Sequence, residues 1–303
     1  MAKIPQIDLD ASDDAVAEEL LTAYSEVGFA AISNHGVDAG LLEGAFAASR
    51  QFHALPERAK SAISLNEFHR GYIPLGASTE IASEYDHEVA PNASESFMML
   101  GNETEGFLAG PNQWPVVEGF RAVVEAYHDE LVELSRRLIG CFALALGDES
   151  GQMESMFDRP TTWLRLLRYP AQRASEFGLG PHRDYGAITL LAQREVSGLD
   201  VLGPDGSWIE VDADPDVLVL NTGEVMHRWS NGQLLRTPHR VINRSGTERY
   251  SIPFFFDPNM HSTIEPLTSS LRGDNPAAFE PFSFESFLRE ELSAGYEAHG
   301  TEQ

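Results

Sequence analysis

The chain has 303 residues, 42% of them hydrophobic, and its single cysteine, Cys141, excludes an internal disulfide and a cysteine-rich metal site. With 47 Asp and Glu residues against 21 Lys and Arg residues, the formal charge is −26, which disfavours nucleic acid and anionic membranes as partners. No apolar run approaches the ~20 residues that a bilayer-spanning helix needs, and no secretory signal is visible. We therefore expect a cytoplasmic protein, and the sequence leaves its oligomeric state open.

The first half of the chain is predicted to be mainly helical. Ser12 is followed by two aspartates, as is typical of a helix N-cap, and apolar residues then recur at helical spacing. A short strand is predicted over residues 29–32, and a second helix over residue 41 to about 53. A long helix is predicted from Pro115 to Gly147, because proline suits a first helical turn and glycine suits a C-cap.

From Thr161 onward, the pattern changes to short β-rich segments separated by turn residues. The predicted strands are Trp163–Tyr169, Ala187–Gln193, Leu199–Leu202, Val217–Asn221, His239–Asn243 and Tyr250–Phe256, and a helix is predicted around Phe284–Tyr296. Several short strands at near-regular spacing favour an antiparallel sandwich or jelly roll. The sequence therefore predicts one domain with an all-β core and flanking helices.

A candidate metal site lies within this β-rich region, in Pro181-His182-Arg183-Asp184-Tyr185-Gly186. On a strand, residues i and i+2 point to the same face, so His182 and Asp184 can bind one ion together. His239, in another predicted strand, would complete a set of two histidines and one carboxylate. Such a set leaves coordination positions open, as non-haem Fe(II) and O2 chemistry requires, whereas a structural zinc site is closed by four protein ligands.

A candidate carboxylate clamp follows in Glu248-Arg249-Tyr250-Ser251. Arg249 and Ser251 share a face by the same alternation. The guanidinium presents a fork of donors to a carboxylate, and the serine hydroxyl adds another hydrogen bond. A metal site beside such a clamp suits a chelating 2-oxo acid.

Together these motifs resemble the Fe(II)- and 2-oxoglutarate-dependent dioxygenases, in the branch similar to isopenicillin N synthase. The resemblance covers nearly the whole chain, including Ile4-Pro5-Gln6-Ile7-Asp8-Leu9, Asn34-His35-Gly36, Leu164-Arg165-Leu166-Leu167-Arg168-Tyr169-Pro170 and Phe279-Glu280-Pro281. It implies a double-stranded β-helix, a cupin-like jelly roll, wrapped by N-terminal and C-terminal helices.

The resemblance also implies a division of this single domain. Residues 1–110 would form the N-terminal dioxygenase region, with helices and edge strands, and residues 111–160 the supporting long helix. Residues 161–257 would form the jelly-roll core that binds Fe(II) and 2-oxoglutarate, and residues 258–303 a C-terminal helical cover.

Site residues are implied by the resemblance, position by position. They are the iron ligands His182, Asp184 and His239, the 2-oxoglutarate contacts Arg249, Ser251 and Tyr169, and the candidate substrate contacts Arg70, Tyr72, Phe97, Tyr185 and Phe255. The implied cofactors are Fe(II), 2-oxoglutarate as cosubstrate and O2, with ascorbate as a further candidate reductant.

The implied activity is oxidation, in the first place hydroxylation, of an unactivated C–H bond of a small molecule, with release of succinate and CO2. A specialised metabolite or an amino-acid derivative is the expected kind of substrate. The acidic composition slightly favours a neutral or cationic molecule, although Arg70 or Arg168 could reverse this locally.

Two alternatives stay open at the level of the sequence. An oxidative cyclase or desaturase could use the same iron centre, with or without 2-oxoglutarate. Without it, Arg249 and Ser251 would hold a carboxylate of the substrate. A more distant alternative is a jelly-roll metal protein outside the oxygenases, such as a sugar isomerase or a non-catalytic ligand-binding module.

Overall fold

The helices and strands below come from a computed structural model, which describes residues 3–78, 91–171, 177–271 and 275–297. The helices in these ranges are α1 (Asp13–Glu26), α2 (Ala39–His53), α3 (Glu57–Ser61), α4 (Phe120–Ala145), α5 (Gln152–Ser155), α6 (Glu224–Trp229) and α7 (Phe284–Glu297). The strands are β1 (Gln6–Asp8), β2 (Phe29–Ser33), β3 (Gly71–Ile73), β4 (Glu95–Leu100), β5 (Thr161–Tyr169), β6 (Leu179–His182), β7 (Ile188–Gln193), β8 (Leu199–Leu202), β9 (Trp208–Val211), β10 (Leu218–Thr222), β11 (His239–Val241), β12 (Arg249–Asp257), β13 (Thr263–Ile264) and β14 (Phe282–Ser283). No helix in these ranges combines the length and apolarity needed to span a bilayer.

Two sheets form the core of the molecule. The major sheet has eight strands in the order β1-β2-β10-β7-β12-β5-β4-β3, and the minor sheet has four in the order β6-β11-β8-β9. Apart from the parallel pair β1 and β2, neighbouring strands run antiparallel. This arrangement confirms the predicted jelly roll with flanking helices.

The two faces of the major sheet have different coverings. We call the face that packs on the minor sheet the inner face. There Leu167 and Tyr169 of β5 form a buried cluster with Val241 of β11. The outer face packs on the helices, where the ring of Phe254 in β12 lies 5.4 Å from that of His128 in α4. Since β5 pairs with both β4 and β12 without a register shift, side chains alternate strictly between the two faces.

The start of the long helix differs from the prediction. Helix α4 begins at Phe120 rather than at Pro115, and Val116, expected in its apolar stripe, is fully exposed. Gly119, immediately before the helix, has φ of 72°, a left-handed conformation that glycine adopts readily and that interrupts the helical backbone. Helix α4 ends at Ala145, close to the predicted end at Gly147.

All seven predicted strands are present, each within two residues of its predicted bounds. Strands β1, β3, β4, β6, β9, β13 and β14 were not predicted. In β4 all six residues are buried, so its sequence shows no alternation of apolar and polar residues.

The four-part division of the domain stays a prediction. Strands β1 to β4, from the N-terminal region, lie in the same sheet as β5, β7, β10 and β12. This shared sheet supports treating those parts as one folding unit.

Candidate functional site

Three side chains in the described part of the chain are placed to bind a metal ion. One ligand atom from each of His182, Asp184 and His239 lies within 4.8 Å of the other two. His182 ends β6, His239 begins β11, and the two residues are directly paired across these strands. Oδ1 of Asp184 lies 3.6 Å from Nε2 of His182 and 3.7 Å from Nε2 of His239. With side chains 17%, 9% and 10% exposed, the three remain accessible to a ligand.

Asp184 reaches this position from a loop rather than from a strand. Strand β6 ends at His182, so the i, i+2 alternation used in the prediction does not explain how the two ligands meet. The loop is fixed instead by the first turn of α6, where the backbone N–H of Glu224 donates to the carbonyl oxygen of Asp184 at 3.0 Å. The prediction of a shared strand is therefore wrong, although the two ligands do converge.

A buried carboxylate fixes the other end of the same loop. Oδ1 of Asp257, the last residue of β12, accepts from the backbone N–H of Ala187 at 2.7 Å. Gly186 lies against this carboxylate so closely that a Cβ there would be 2.0 Å from Oδ1. Only glycine fits between the loop and the strand, because such a contact would force one of them to move.

The ligand atoms of both histidines are set by backbone carbonyls. Nδ1 of His182 lies 2.9 Å from the carbonyl oxygen of Gly180, and Nδ1 of His239 lies 3.3 Å from that of Thr237. A carbonyl oxygen can only accept, so each Nδ1 carries the proton and donates it. Each Nε2 then presents its lone pair to the space beside Asp184, as a metal ligand must.

The two oxygens of Asp184 have different surroundings. Oδ2 accepts from Oγ1 of Thr189 at 2.6 Å and from Nδ2 of Asn221 at 2.7 Å. Oδ1 is the oxygen that faces Nε2 of both histidines. The carboxylate is thus oriented by one oxygen, and the other is available to a metal.

Protonation states also suit a metal ion. Burial by itself would raise the pKa of Asp184, but His239, His182 and the hydrogen bonds from Thr189 and Asn221 outweigh it and hold the pKa below its ordinary value. Burial, reinforced by the charge of His182, lowers the pKa of His239 to about 4. At neutral pH the carboxylate is charged and His239 is neutral, which is the state in which both bind metals.

The clamp residues meet on the inner face of the major sheet. Nη1 of Arg249 donates to Oγ of Ser251 at 3.2 Å, and its Nη2 donates to Oε1 of Gln193 at 2.7 Å. The guanidinium carbon lies 4.8 Å from the centroid of the Tyr169 ring, in cation–π contact. Arg249 is fully buried, and burial lowers the pKa of its guanidinium.

This buried guanidinium lacks an anionic partner. In the described ranges no carboxylate lies within ion-pair distance of Arg249, and its Nε and the Nε2 of neighbouring Gln193 have no hydrogen-bond partner. An unpaired buried cation is unfavourable by several kcal/mol, roughly, and an entering carboxylate would compensate it. The arrangement therefore fits a carboxylate-bearing cosubstrate, and the donor set of the two histidines and Asp184 fits Fe(II).

Three site residues were missed in the sequence, namely Gln193, Thr189 and Asn221. Thr189 and Gln193 are four residues apart on β7 and therefore lie on the same face, and Asn221 lies on the neighbouring β10, paired with Thr189. Polar residues spaced by two or four in otherwise apolar strands were a usable signal, but only the strand pairing shows which of them face the ligands.

The predicted substrate contacts are divided between two places. Tyr185 follows the ligand Asp184 in the loop, and Phe255 lies on the inner face, paired with Thr189 of β7 and Trp163 of β5. Both are partly buried beside the metal site. Their role as substrate contacts stays a prediction.

Three other predicted contacts are not brought to the triad. Tyr72 and Phe97 lie on the outer face, where the Tyr72 hydroxyl donates to Glu95 at 2.5 Å and the Phe97 ring lies 5.1 Å from that of Phe120. Arg70 is fully buried and donates to the carbonyl oxygens of Phe68 and Leu108 and to Oδ1 of Asn112. These contacts are structural, because they join the N-terminal strands to the helices and loops around them.

Comparison with known families matches two regions of the chain. Residues 4–116 match the family described as non-haem dioxygenase in morphine synthesis N-terminal, and residues 160–258 match the 2OG-Fe(II) oxygenase superfamily. The second region contains all three predicted metal ligands and the clamp.

Individual relatives match along nearly the full length. The 2-oxoglutarate-dependent dioxygenase caaD of Aspergillus niger is 31% identical, with 97% of this chain and 94% of the relative covered. Among solved structures, a full-length Neurospora crassa protein in complex with alpha-KG and thymine has a TM-score of 0.86 and 27% identity, covering 97% of each chain. JOX2 in complex with 2OG, Fe and JA has a TM-score of 0.85 and 28% identity, covering 98% of this chain and 89% of the other.

Proposed function

Because the chain belongs to the 2OG-Fe(II) oxygenase superfamily, we propose that it hydroxylates an unactivated C–H bond of a small organic molecule. Family membership confirms the dependence on Fe(II) and 2-oxoglutarate expected from the sequence, and it does not support the alternative of a metal protein outside the oxygenases. The observation that carries the proposal is the joint placement of an open three-residue metal site and an unpaired buried guanidinium on one side of the sheet.

We assign the residues as follows. Nε2 of His182, Nε2 of His239 and Oδ1 of Asp184 would hold Fe(II). Arg249 and Ser251 would bind the far carboxylate of 2-oxoglutarate, with Tyr169 packed against the guanidinium. When bound, Fe(II) and 2-oxoglutarate supply the activation of O2, with succinate and CO2 as the by-products.

The protein's own contribution is orientation and protonation state. Thr189 and Asn221 hold Oδ2 of Asp184, so that Oδ1 keeps one direction toward the metal. Gln193 fixes the plane of the Arg249 guanidinium before the cosubstrate arrives. Both sets of hydrogen bonds hold the side chains in place beforehand and so reduce the conformational entropy that is lost on binding.

A small-molecule substrate is supported by structural relatives that bind thymine and JA. We propose a specialised metabolite or an amino-acid derivative as the finer class. Cytoplasmic location and the use of ascorbate stay predictions.

The test is formation of the visible charge-transfer band of the Fe(II)–2-oxoglutarate complex under anaerobic conditions. We expect the band in the natural protein and in the control His261→Ala, whose imidazole is 65% exposed, but not in His182→Ala. Succinate release with candidate compounds and mass spectrometry of the product then identify the reaction. A hydroxylated product gains one oxygen atom, whereas ring closure or desaturation removes two hydrogens. Absence of the band in the natural protein would refute the proposal.

A further inference from the structure

A second arginine lies on the inner face, in addition to the clamp residue Arg249. Strand β5 pairs with β4 through Met98↔Arg165 and with β12 through Arg249↔Tyr169, both in unbroken register. Arg165 is four residues before Tyr169, so strand alternation places both side chains on the same face. The face that carries the clamp therefore also carries Arg165.

Its neighbour Arg168 shows what a fully paired arginine looks like in this protein. Arg168 is three residues further along β5 and lies on the outer face. There it donates to Oε1 of Glu95 at 2.5 Å and also pairs with Glu248. Two carboxylates thus neutralise Arg168 without any ligand.

Arg165 has no such neutralisation. Its Nη2 donates to Oγ of Ser96 at 3.0 Å, while its Nε is buried and has no hydrogen-bond partner. In the described part of the chain no carboxylate lies within ion-pair distance of this guanidinium, although the sequence offers 47 acidic residues. A partly buried cation left in this state is stabilised when an anion enters.

The surroundings of Arg165 are apolar and lie close to the metal site. Met98 is its direct partner on β4, and Trp163, two residues earlier on β5, occupies the adjacent position on the same face. Trp163 pairs with Phe255, which pairs with Thr189, the residue that holds Asp184. Thr189 is thus two strands across from β5 and two residues along from Arg165, roughly 12 Å between Cα atoms, a distance that a small organic molecule can span.

We propose that Arg165 determines substrate specificity by binding a carboxylate of the substrate, so that the substrate is a carboxylic acid with an apolar body. The carboxylate would meet the guanidinium, and the body would lie along Met98, Trp163 and Phe255 toward the metal. This inference rests on the proposed oxygenase function and names the substrate class of that same site.

The inference changes the expectation drawn from net charge. The acidic surface disfavours the approach of an anion, but recognition is decided by the groups that touch it in a low-dielectric site. Arg70 and Arg168, the arginines first considered for this role, are both satisfied by the protein's own acceptors.

The experiment compares acids with their primary amides on the Fe(II)–2-oxoglutarate complex. The probes are phenylacetate, 3-phenylpropionate and hexanoate, each with its amide, and the readouts are succinate release above the substrate-free rate and the thermal midpoint. We expect the acids, and not the amides, to raise both. In Arg165→Met the apparent affinity for the acids should fall by about 30-fold or more, because a charge-assisted pair is lost.

Three controls separate recognition from structure. Arg121→Met removes an arginine that is 64% exposed and should behave as the natural protein. Arg165→Lys keeps the charge but not the fork and should retain part of the preference for acids. Ser96→Ala removes the hydrogen bond that Ser96 accepts from Arg165 and should weaken acid binding by a smaller factor.

The outcomes are distinct from those that test the oxygenase function. If the charge-transfer band forms but no acid acts, or acids and amides act equally, the substrate class is refuted and the oxygenase function stands. If Arg165→Met keeps the full preference for acids, the role of Arg165 is refuted. A failure to form the band in the natural protein refutes the oxygenase function itself. Unchanged 2-oxoglutarate affinity in Arg165→Met shows that this variant has folded with an intact clamp.

Discussion

At the scale of single residues, the site depends on polar side chains in which some atoms have hydrogen-bond partners within the protein and others have none. Asp184 has one oxygen fully hydrogen-bonded and one oriented to the histidines. Arg249 has two donors satisfied by Ser251 and Gln193, and its Nε is unpaired. The hydrogen-bonded atoms hold the side chains in position, and the atoms without a partner indicate where a ligand would bind.

Gln193 offers a sharp test of the clamp. In Gln193→Glu the new carboxylate would lie within hydrogen-bond distance of Nη2 of Arg249 and neutralise it internally. Since 2-oxoglutarate must then compete with a tethered carboxylate, we expect its affinity to fall by about 100-fold or more. The measurement is titration of the charge-transfer band with 2-oxoglutarate.

The matched control is Gln193→Met, which removes the acceptor without adding a charge. We expect a loss of about tenfold in affinity, because one buried donor of the guanidinium is left unpaired. Equal affinities in the two variants would contradict the assignment of Arg249 as the binding group for the cosubstrate.

Residue identity alone was enough to single out the candidate iron ligands and the candidate clamp, because His-x-Asp, a distant histidine and Arg-x-Ser are specific when they occur together. The substrate contacts were harder to predict. Phe97 and Met98 are adjacent in sequence, yet they lie on opposite faces of β4, and only the pairing with β5 shows which of them faces the site.

At the scale of elements, the metal site depends on the contact between helix α6 and the loop that bears Asp184. The N-terminal turn of α6 donates to the carbonyl oxygen of Asp184 and, through Val225, to that of Gly186. Gly223, immediately before the helix, is so close to this loop that a Cβ would be 2.5 Å from the carbonyl oxygen of Gly186.

This contact predicts the effect of Gly223→Ala. The added methyl group must displace either α6 or the loop, and Asp184 moves with the loop, so we expect affinity for Fe(II) to fall by about 10- to 100-fold. The control is Gly140→Ala, in the C-terminal part of α4, where a Cβ would meet only an ordinary contact at 3.4 Å. Titration of Fe(II) in the presence of 2-oxoglutarate measures both, and unaltered Fe(II) affinity in Gly223→Ala would contradict the role given to α6.

Elements with a strong local signal were predicted well. Ser12 does cap α1, with its Oγ accepting from the backbone N–H of Ala15, and the strands rich in β-branched and aromatic residues were found near their true bounds. The shared strand of His182 and Asp184 and the start of α4 were wrong for one reason. Both depend on where a loop begins, which contacts with distant residues decide.

At the scale of the whole molecule, the buried carboxyl of Asp257 couples the site to stability. Burial and the negative charge of Asp184 raise the pKa of Asp257 from 3.8 to about 7. The hydrogen bond from the N–H of Ala187 acts in the opposite direction but is outweighed. Between these two values the folded protein keeps a proton that the unfolded chain has released. The contribution of Asp257 to the free energy of unfolding therefore falls as pH rises from about 4 to about 7, and is constant above that.

Asp257→Asn isolates this contribution. The amide keeps an oxygen to accept from Ala187 but does not titrate, so the decline with pH should be absent from the variant. Relative to the natural protein, Asp257→Asn should gain stability between pH 5 and pH 8, by at most about 4 kcal/mol, since each pKa unit corresponds to about 1.4 kcal/mol.

Urea unfolding of the metal-free protein at several pH values measures the difference. Taking the difference between the two proteins removes the contribution of His53, whose pKa burial lowers to about 4 and which acts with the opposite sign. Parallel stability curves for the two proteins would contradict the raised pKa of Asp257.

The strict alternation along β5 has a consequence for changing this protein by design. Trp163, Arg165, Leu167 and Tyr169 lie on the inner face, and the residues between them face the helical layer. Substitutions at Trp163 and Arg165 should thus alter substrate choice, whereas substitutions at the intervening positions should alter the melting temperature, and Leu167 and Tyr169 are left unchanged because they pack against Val241 of the minor sheet. A library confined to Trp163 and Arg165 can therefore explore new substrates while the packing of β5 against the helical layer stays unchanged.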